Sequence, residues 1–225
     1  MNKKLSLYFI LIFFTTTFSY GQQNPGRFKS TILEFEQEDK ANGYQPEAIL
    51  FTGSSSIRMW KSLGQDMDPM LAVNRGFGGS TIPEVLYYAD RIVLPHHPKI
   101  IVLYCGENDL SNDEAKSNLA LKSFKKLHKY LKEKLPDTKL FFIAIKPSIR
   151  RWNYWPKFQV ANQKIKRYID KKEKYFFIDT ASKMLDDQGV VLQDIFIDDN
   201  LHMNSKGYDI WTKTIKPIIE AHYKD

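Results

Sequence analysis

A single cysteine, Cys105, stands in 225 residues. One thiol cannot close an intramolecular disulfide, and its solitude excludes a cysteine-rich zinc or iron–sulfur site. Placed at the end of a very apolar run, it reads as a buried, inert thiol. No apolar stretch approaches the ~20 residues that a transmembrane helix needs. There is no internal repeat, no low-complexity tract and no linker rich in Pro, Gly or Ser. No Gly-x-x-x-x-Gly-Lys sequence occurs, which leaves a nucleotide phosphate loop without its lysine.

What is present is an ordinary globular balance, with 43% hydrophobic and 26% charged residues and a net charge of +7. Such an excess suits nucleic acid, an anionic membrane, acidic substrates or simply solvated lysines. Lysines 122, 125, 126, 129, 132 and 134 lie opposite an apolar stripe of Leu119 or Ala120, Phe124, Leu127, Leu131 and Leu135. Most of them are therefore the wet face of one helix.

The first residues carry a different signal. Lys3 and Lys4 precede an apolar stretch over 5–14, and Ser19 and Gly21 take the small −3 and −1 positions before Gln22. This is the pattern of a cleavable secretory signal over 1–21, and the apolar part is about half the length of a membrane span. The sequence thus predicts a secreted or periplasmic protein, one folded domain over 22–225 and no stable membrane insertion once the leader is gone. No cysteine sits near the cut to take a lipid. Export also removes nucleic acid from the expected partners.

After an opening helix with Phe28, Ile32 and Phe35 on one face, short apolar runs alternate with helical patterns. The runs at 48–51, 71–73, 100–104, 140–145 and 176–178 read as five buried strands. Helical stripes run through Ile82, Leu86, Ala89 and Val93, through Ala161, Ile165 and Tyr168, and through Tyr208, Trp211, Ile215, Ile218 and His222. Alternation of this kind predicts an α/β fold with a mostly parallel five-stranded sheet covered on both faces. Ligands on such a sheet gather at the carboxyl ends of the strands.

Four segments at those ends bear chemistry. Gly53-Ser54-Ser55-Ser56 follows the first strand, where a hydroxyl can stand at the top of the sheet, or merely cap a helix. The segment from Asn74 to Ser80 follows the second, with three glycines that permit close backbone approach or make a plain tight turn. Gly106-Glu107-Asn108-Asp109 follows the third, and its asparagine can donate to an oxyanion or shape a turn. Asp199-Asn200-Leu201-His202 precedes the last helix; the spacing of three lets a carboxylate hold one imidazole nitrogen while the other faces outward. A metal reading of Asp199 and His202 lacks further ligands nearby. His96, His97, His128 and His222 have no such partner in sequence.

In order and position these four blocks resemble the SGNH (GDSL-type) esterase/lipase superfamily, which includes platelet-activating-factor acetylhydrolase-like enzymes and carbohydrate O-acetylesterases. The resemblance runs from about Ala48 to the last helix. It implies a flavodoxin-like three-layer α/β/α sandwich. It implies Ser55 as nucleophile, Asp199 and His202 as the rest of a triad, and Ser55, Gly79 and Asn108 as oxyanion donors, with no metal or organic cofactor. The aspartate of the family's Gly-Asp-Ser is Ser54 here, so the choice of Ser55 over Ser54 and Ser56 rests on the alignment.

The segment 146–156 follows the fourth strand at the same edge. Arg150, Trp152 and Trp155, with Arg58 after the serines, are candidate substrate contacts; the tryptophans could equally pin the loop to the body. No long greasy lid is evident. The reading is an exported serine esterase acting on a small ester or an acetylated carbohydrate. Its alternatives are a lysophospholipase or thioesterase on longer acyl chains, and a catalytically inactive carbohydrate-binding relative. The sequence is silent on oligomeric state. If the leader is cleaved as its pattern implies, mass spectrometry of the secreted protein should find an N-terminus at or within a few residues of Gln22; a soluble product retaining Met1 would refute export.

Overall fold

The structure is a computed structural model that describes residues 25–223; the leader and its Ser19/Gly21 cleavage site lie outside the described residues. Five strands form one sheet: β1 (Ile49–Gly53), β2 (Ala72–Gly76), β3 (Ile100–Tyr104), β4 (Lys139–Ile143) and β5 (Tyr175–Ile178). Every neighbouring pair is parallel and the order is β2-β1-β3-β4-β5. The helices are α1 (Lys29–Asn42), α2 (Ser55–Arg58), α3 (Leu63–Met67), α4 (Ile82–Ile92), α5 (Glu107–Leu110), α6 (Leu119–Lys134), α7 (Trp155–Ile169) and α8 (Ser205–Tyr223).

The strand period of two divides the core into two apolar layers. Leu50, Ile101, Leu103, Leu140 and Phe142 face α1, α4, α6 and α7, where they meet Ile32, Val85, Phe124 and Phe158. Ile49, Phe51, Val102, Phe141 and Ile143 face the other way, onto Ile57, Leu63, Trp211 and Ile215 from α2, α3 and α8. This is the three-layer sandwich predicted from the alternation of elements. Handedness explains which helix lies on which face. The step from β1 to β2 runs in one direction along the sheet, and those from β2 to β3, β4 and β5 run in the other. Right-handed crossovers therefore place α3 on one face and α4, α6 and α7 on the opposite face.

That reversal leaves a crevice between β1 and β3, where ligands of doubly wound sheets bind. The three strands around it end level: Gly53 pairs with both Gly76 and Tyr104. Gly53 has φ of +121°, and a Cβ there would lie 2.0 Å from the Tyr104 carbonyl oxygen, so only glycine lets the chain turn off β1 at this point.

The strands run slightly beyond or short of their apolar runs. β2 continues through polar Asn74 and Arg75, because it is an edge strand with partly exposed positions. Arg75 is nonetheless buried and pairs with Asp39 of α1, tying that helix to the sheet edge. Among the described residues no helix is long and apolar enough to cross a membrane.

A second tie has a pH signature. Asp109 of α5 is buried, and both its oxygens lie 3.2 Å from the Ile82 N–H at the start of α4. Burial pushes its carboxyl up to about 7, against the lowering effect of the Ile82 N–H. A carboxyl that titrates higher in the folded than in the unfolded chain stabilises at low pH. Its contribution is complete below the unfolded value of ~3.9 and is lost as pH rises through about 7. Asp109→Asn keeps an acceptor for Ile82 but removes the titration. The melting temperature of the parent relative to this variant should therefore fall as pH is raised from about 5 to 8; a difference constant across that range would refute the assignment.

Candidate active site

Ser54 takes the N-cap position of α2, yet its hydroxyl makes no cap bond. Ser55 follows as the first helical residue. Ile57 and Arg58 donate their N–H groups to the Ser54 carbonyl, so the turn is closed by backbone and the serine side chains are left for other work. The short helix is held from two sides. Asn74 of β2 donates to the Ile57 carbonyl at 2.7 Å, and the Tyr208 hydroxyl of α8 donates to the Ser56 carbonyl at 3.0 Å.

Residues from the other end of the chain complete a line. The Ser55 Oγ lies 2.8 Å from His202 Nε2, and His202 Nδ1 lies 2.5 Å from Asp199 Oδ2. The second carboxylate oxygen accepts the backbone N–H groups of Leu201 and His202 at 2.9 and 2.8 Å. Asp199 thus organises its own loop and orients the ring with one side chain. Burial pushes this carboxyl up, but the His202 backbone N–H, the His202 ring and the Leu201 N–H outweigh it and hold it at about 2. It is ionised throughout the working range and fixes the tautomer with hydrogen on Nδ1, which leaves Nε2 to accept the serine proton.

The turn after β2 lies on the same edge of the sheet. Gly79 there has φ of +78°, and its carbonyl accepts from Arg27 at 3.0 Å. Asn108 of α5 points its amide at the serine turn. Its Nδ2 donates to Ser54 Oγ at 2.9 Å and to the Ser80 carbonyl at 3.0 Å. Both amide hydrogens are therefore engaged in this state, a detail outside the reach of sequence. An oxyanion is a stronger acceptor than a hydroxyl, so developing charge can take over the hydrogen that Ser54 Oγ holds.

Sequence reasoning missed the groups behind Asn108. Lys146, directly after the apolar run of β4, is fully buried. Its Nζ donates to the Leu201 carbonyl at 2.7 Å and lies 3.4 Å from Glu107 Oε2. Burial pulls the Lys146 ammonium down, and the Glu107 carboxylate opposes the pull. Glu107 is buried as well. Burial raises its carboxyl, but Lys146 and Arg151 beside it prevail and hold it below the usual carboxylate range. The one signal available beforehand was a lysine placed directly after a long apolar run.

The sequence comparisons bear on this arrangement. A profile of the GDSL-like Lipase/Acylhydrolase family matches residues 41–210. The chain belongs to this family. It is a serine hydrolase of carboxylic esters. Among solved structures it is similar to a provisionally named platelet activating factor from Streptococcus pneumonia, with 21% identity, a TM-score of 0.75 and coverage of 85% of this chain and 92% of that one. A GDSL-like lipase from Bacteroides thetaiotaomicron gives 21%, 0.69, 88% and 98% for the same quantities. An acetylxylan esterase from Geobacillus stearothermophilus gives 14%, 0.63, 80% and 95%. At these identities the structural likeness speaks for the fold alone. Among curated proteins none matches the chain.

The family blocks meet at one point, and of the two readings of the aromatic loop Trp155 follows the one that pins the segment to the body. Trp155 is not a loop residue. It opens α7, with Pro156 in the first turn, and at 7% exposure it belongs to the core. It therefore offers no free face to a substrate. Trp152 is half-buried and stacks on Trp155, with ring centres 6.2 Å apart. Arg150 is exposed; its backbone N–H donates to the Asn200 carbonyl at 2.9 Å, which ties this loop to the Asp199 turn. Arg58 is exposed and lies over Gly78, where a Cβ would come within 2.7 Å of its Nε. Trp155→Ala should accordingly cost ~3–5 kcal/mol of stability and lower kcat/KM on p-nitrophenyl acetate and on bulkier esters in parallel. A selective loss on the bulkier esters with an unchanged melting temperature would restore Trp155 to the substrate site.

Proposed function

We propose that Ser55, His202 and Asp199 act as a nucleophile–base–orienter triad for hydrolysis of short-chain O-esters, acetyl in the first instance. The observation that carries this is the unbroken hydrogen-bond line from Asp199 Oδ2 through the imidazole to Ser55 Oγ. Ser55 Oγ attacks the ester carbonyl while Nε2 takes its proton, and the imidazolium is stabilised by ionised Asp199. The carbonyl oxygen becomes an oxyanion among the Ser55 N–H, the Gly79 N–H and the Asn108 amide. The imidazolium then protonates the departing alcohol. Water repeats the sequence on the acyl-enzyme and releases the acid.

The acyl acceptor we favour is a carbohydrate met outside the cytoplasm. The supports are the signal-like N-terminal pattern, the basic balance of charge and the likeness to an acetylxylan esterase. Exposed Arg58 and Arg150 offer forked donors for hydroxyl or acidic groups of such a partner.

Ser55→Ala should abolish labelling by a fluorophosphonate and lower kcat by up to ~10⁶, the cost typical of losing a triad serine. Ser54→Ala should still be labelled. Labelling of the Ser55 variant, with loss in the Ser54 or Ser56 variant, would overturn the assignment. The pH dependence of the orienting carboxylate follows from its contacts. Asp199, held at about 2, keeps its charge on mild acidification, so its contribution is lost only as pH falls through that value.

A further inference from the structure

The geometry points to Arg151 as a positioning residue for the Asn108 amide, with Glu107 and buried Lys146 as its foundation. This rests on the triad and oxyanion reading above and adds to it Arg151 and Lys146, which lie outside the four sequence blocks.

One guanidinium nitrogen of Arg151 lies 3.1 Å from Asn108 Oδ1 and 3.1 Å from Glu107 Oε1. Arginine has donors only, and the Ser80 carbonyl on the far side of the amide is an acceptor only. The two together permit one orientation, with Oδ1 toward Arg151 and Nδ2 toward the serine turn. Without the arginine, only the Ser80 carbonyl opposes a rotation that would present oxygen to the oxyanion, which is repulsive. A cation on Oδ1 also polarises the amide and makes its N–H a stronger donor.

Arg151 needs something rigid to stand on, because it begins a short turn and its side chain is 22% exposed. Glu107 supplies this. Its carboxylate forms an ion pair with Arg151 through Oε1, while Oε2 accepts the Tyr104 hydroxyl at 2.6 Å and lies 3.4 Å from the Lys146 ammonium. Lys146 in turn grips the Leu201 carbonyl, inside the turn that carries Asp199 and His202. A single buried carboxylate thus stands between the loop that bears the oxyanion donor and the loop that bears the base. Fixed charges of this kind hold geometry at little cost during the reaction, since they need not reorient when charge develops.

The test is a double-mutant cycle with p-nitrophenyl acetate as substrate. Arg151→Gln should lower kcat about ten- to a hundredfold, the usual worth of a hydrogen bond to a charged group, with KM within about twofold. In an Asn108→Ala background the same change should lower kcat by less than about twofold, because Arg151 then has no amide to orient. Equal losses in both backgrounds would show a general structural role and overturn the proposal. So would unchanged kcat with raised KM, the mark of a direct substrate contact. Arg151→Lys keeps a cation beside Glu107 and is read if the glutamine variant does not fold. Its ammonium lacks the planar fork, so kcat should still fall about tenfold, and parental kcat would overturn the proposal. Failure of the underlying triad reading is seen separately, as activity or fluorophosphonate labelling retained by Ser55→Ala.

Discussion

The architecture depends on three parallel strands ending at one level. Gly53, Gly76 and Tyr104 lie side by side at the crevice where the winding of the sheet reverses. The loops that follow them carry Ser55, Gly79 and Asn108. The serine turn therefore enters its helix beside the Asn108 amide without any long excursion of chain. Gly53 is the tightest element of this arrangement, because the chain leaves β1 across the Tyr104 carbonyl with no room for a Cβ. Catalytic geometry is here a property of strand register, and register in a buried parallel sheet is set by apolar packing on both faces.

Charge fixes what the sheet only brings near. Asp199 uses one oxygen to close its own turn and the other to hold the His202 ring, so loop shape and base orientation are one property. Behind the site, Glu107 and Lys146 form a buried pair that is weak evidence for stability, since desolvation offsets much of the attraction. Its place is more telling. The pair and Arg151 touch Asn108 on one side and the backbone of the base loop on the other. Where the family has aspartate before its nucleophile, Ser54 stands here, and its neutral hydroxyl accepts from Asn108 without placing a negative charge beside the proposed oxyanion site.

The aromatic segment after β4 shows how local pattern misleads. Its tryptophans, next to arginines at the ligand edge, have the composition of a sugar-facing loop. The chain instead begins α7 at Trp155, and Pro156 in the first turn is a start signal that the loop assignment overlooked. Once Trp155 lies at the head of that helix, its ring falls toward the inner layer with Phe158 and Ala161. Large aromatics bury wherever a helix face permits, because each removes so much apolar surface from water.

By itself the sequence determined the class of fold, the strand set within a few residues, the face of each long helix and the four blocks that carry chemistry. These follow from local rules: apolar period, glycine at forced turns, and carboxylate and imidazole three residues apart. The tertiary structure decided what depends on groups distant along the chain. It brought His202 to within hydrogen-bond reach of Ser55 across 147 positions. It spent both Asn108 hydrogens on Ser54 and Ser80, and it buried Lys146 against Glu107 and Leu201. Such contacts have no local signature. A lysine and an arginine after one strand and a glutamate after another look like surface charge until the strands beneath them are placed in order.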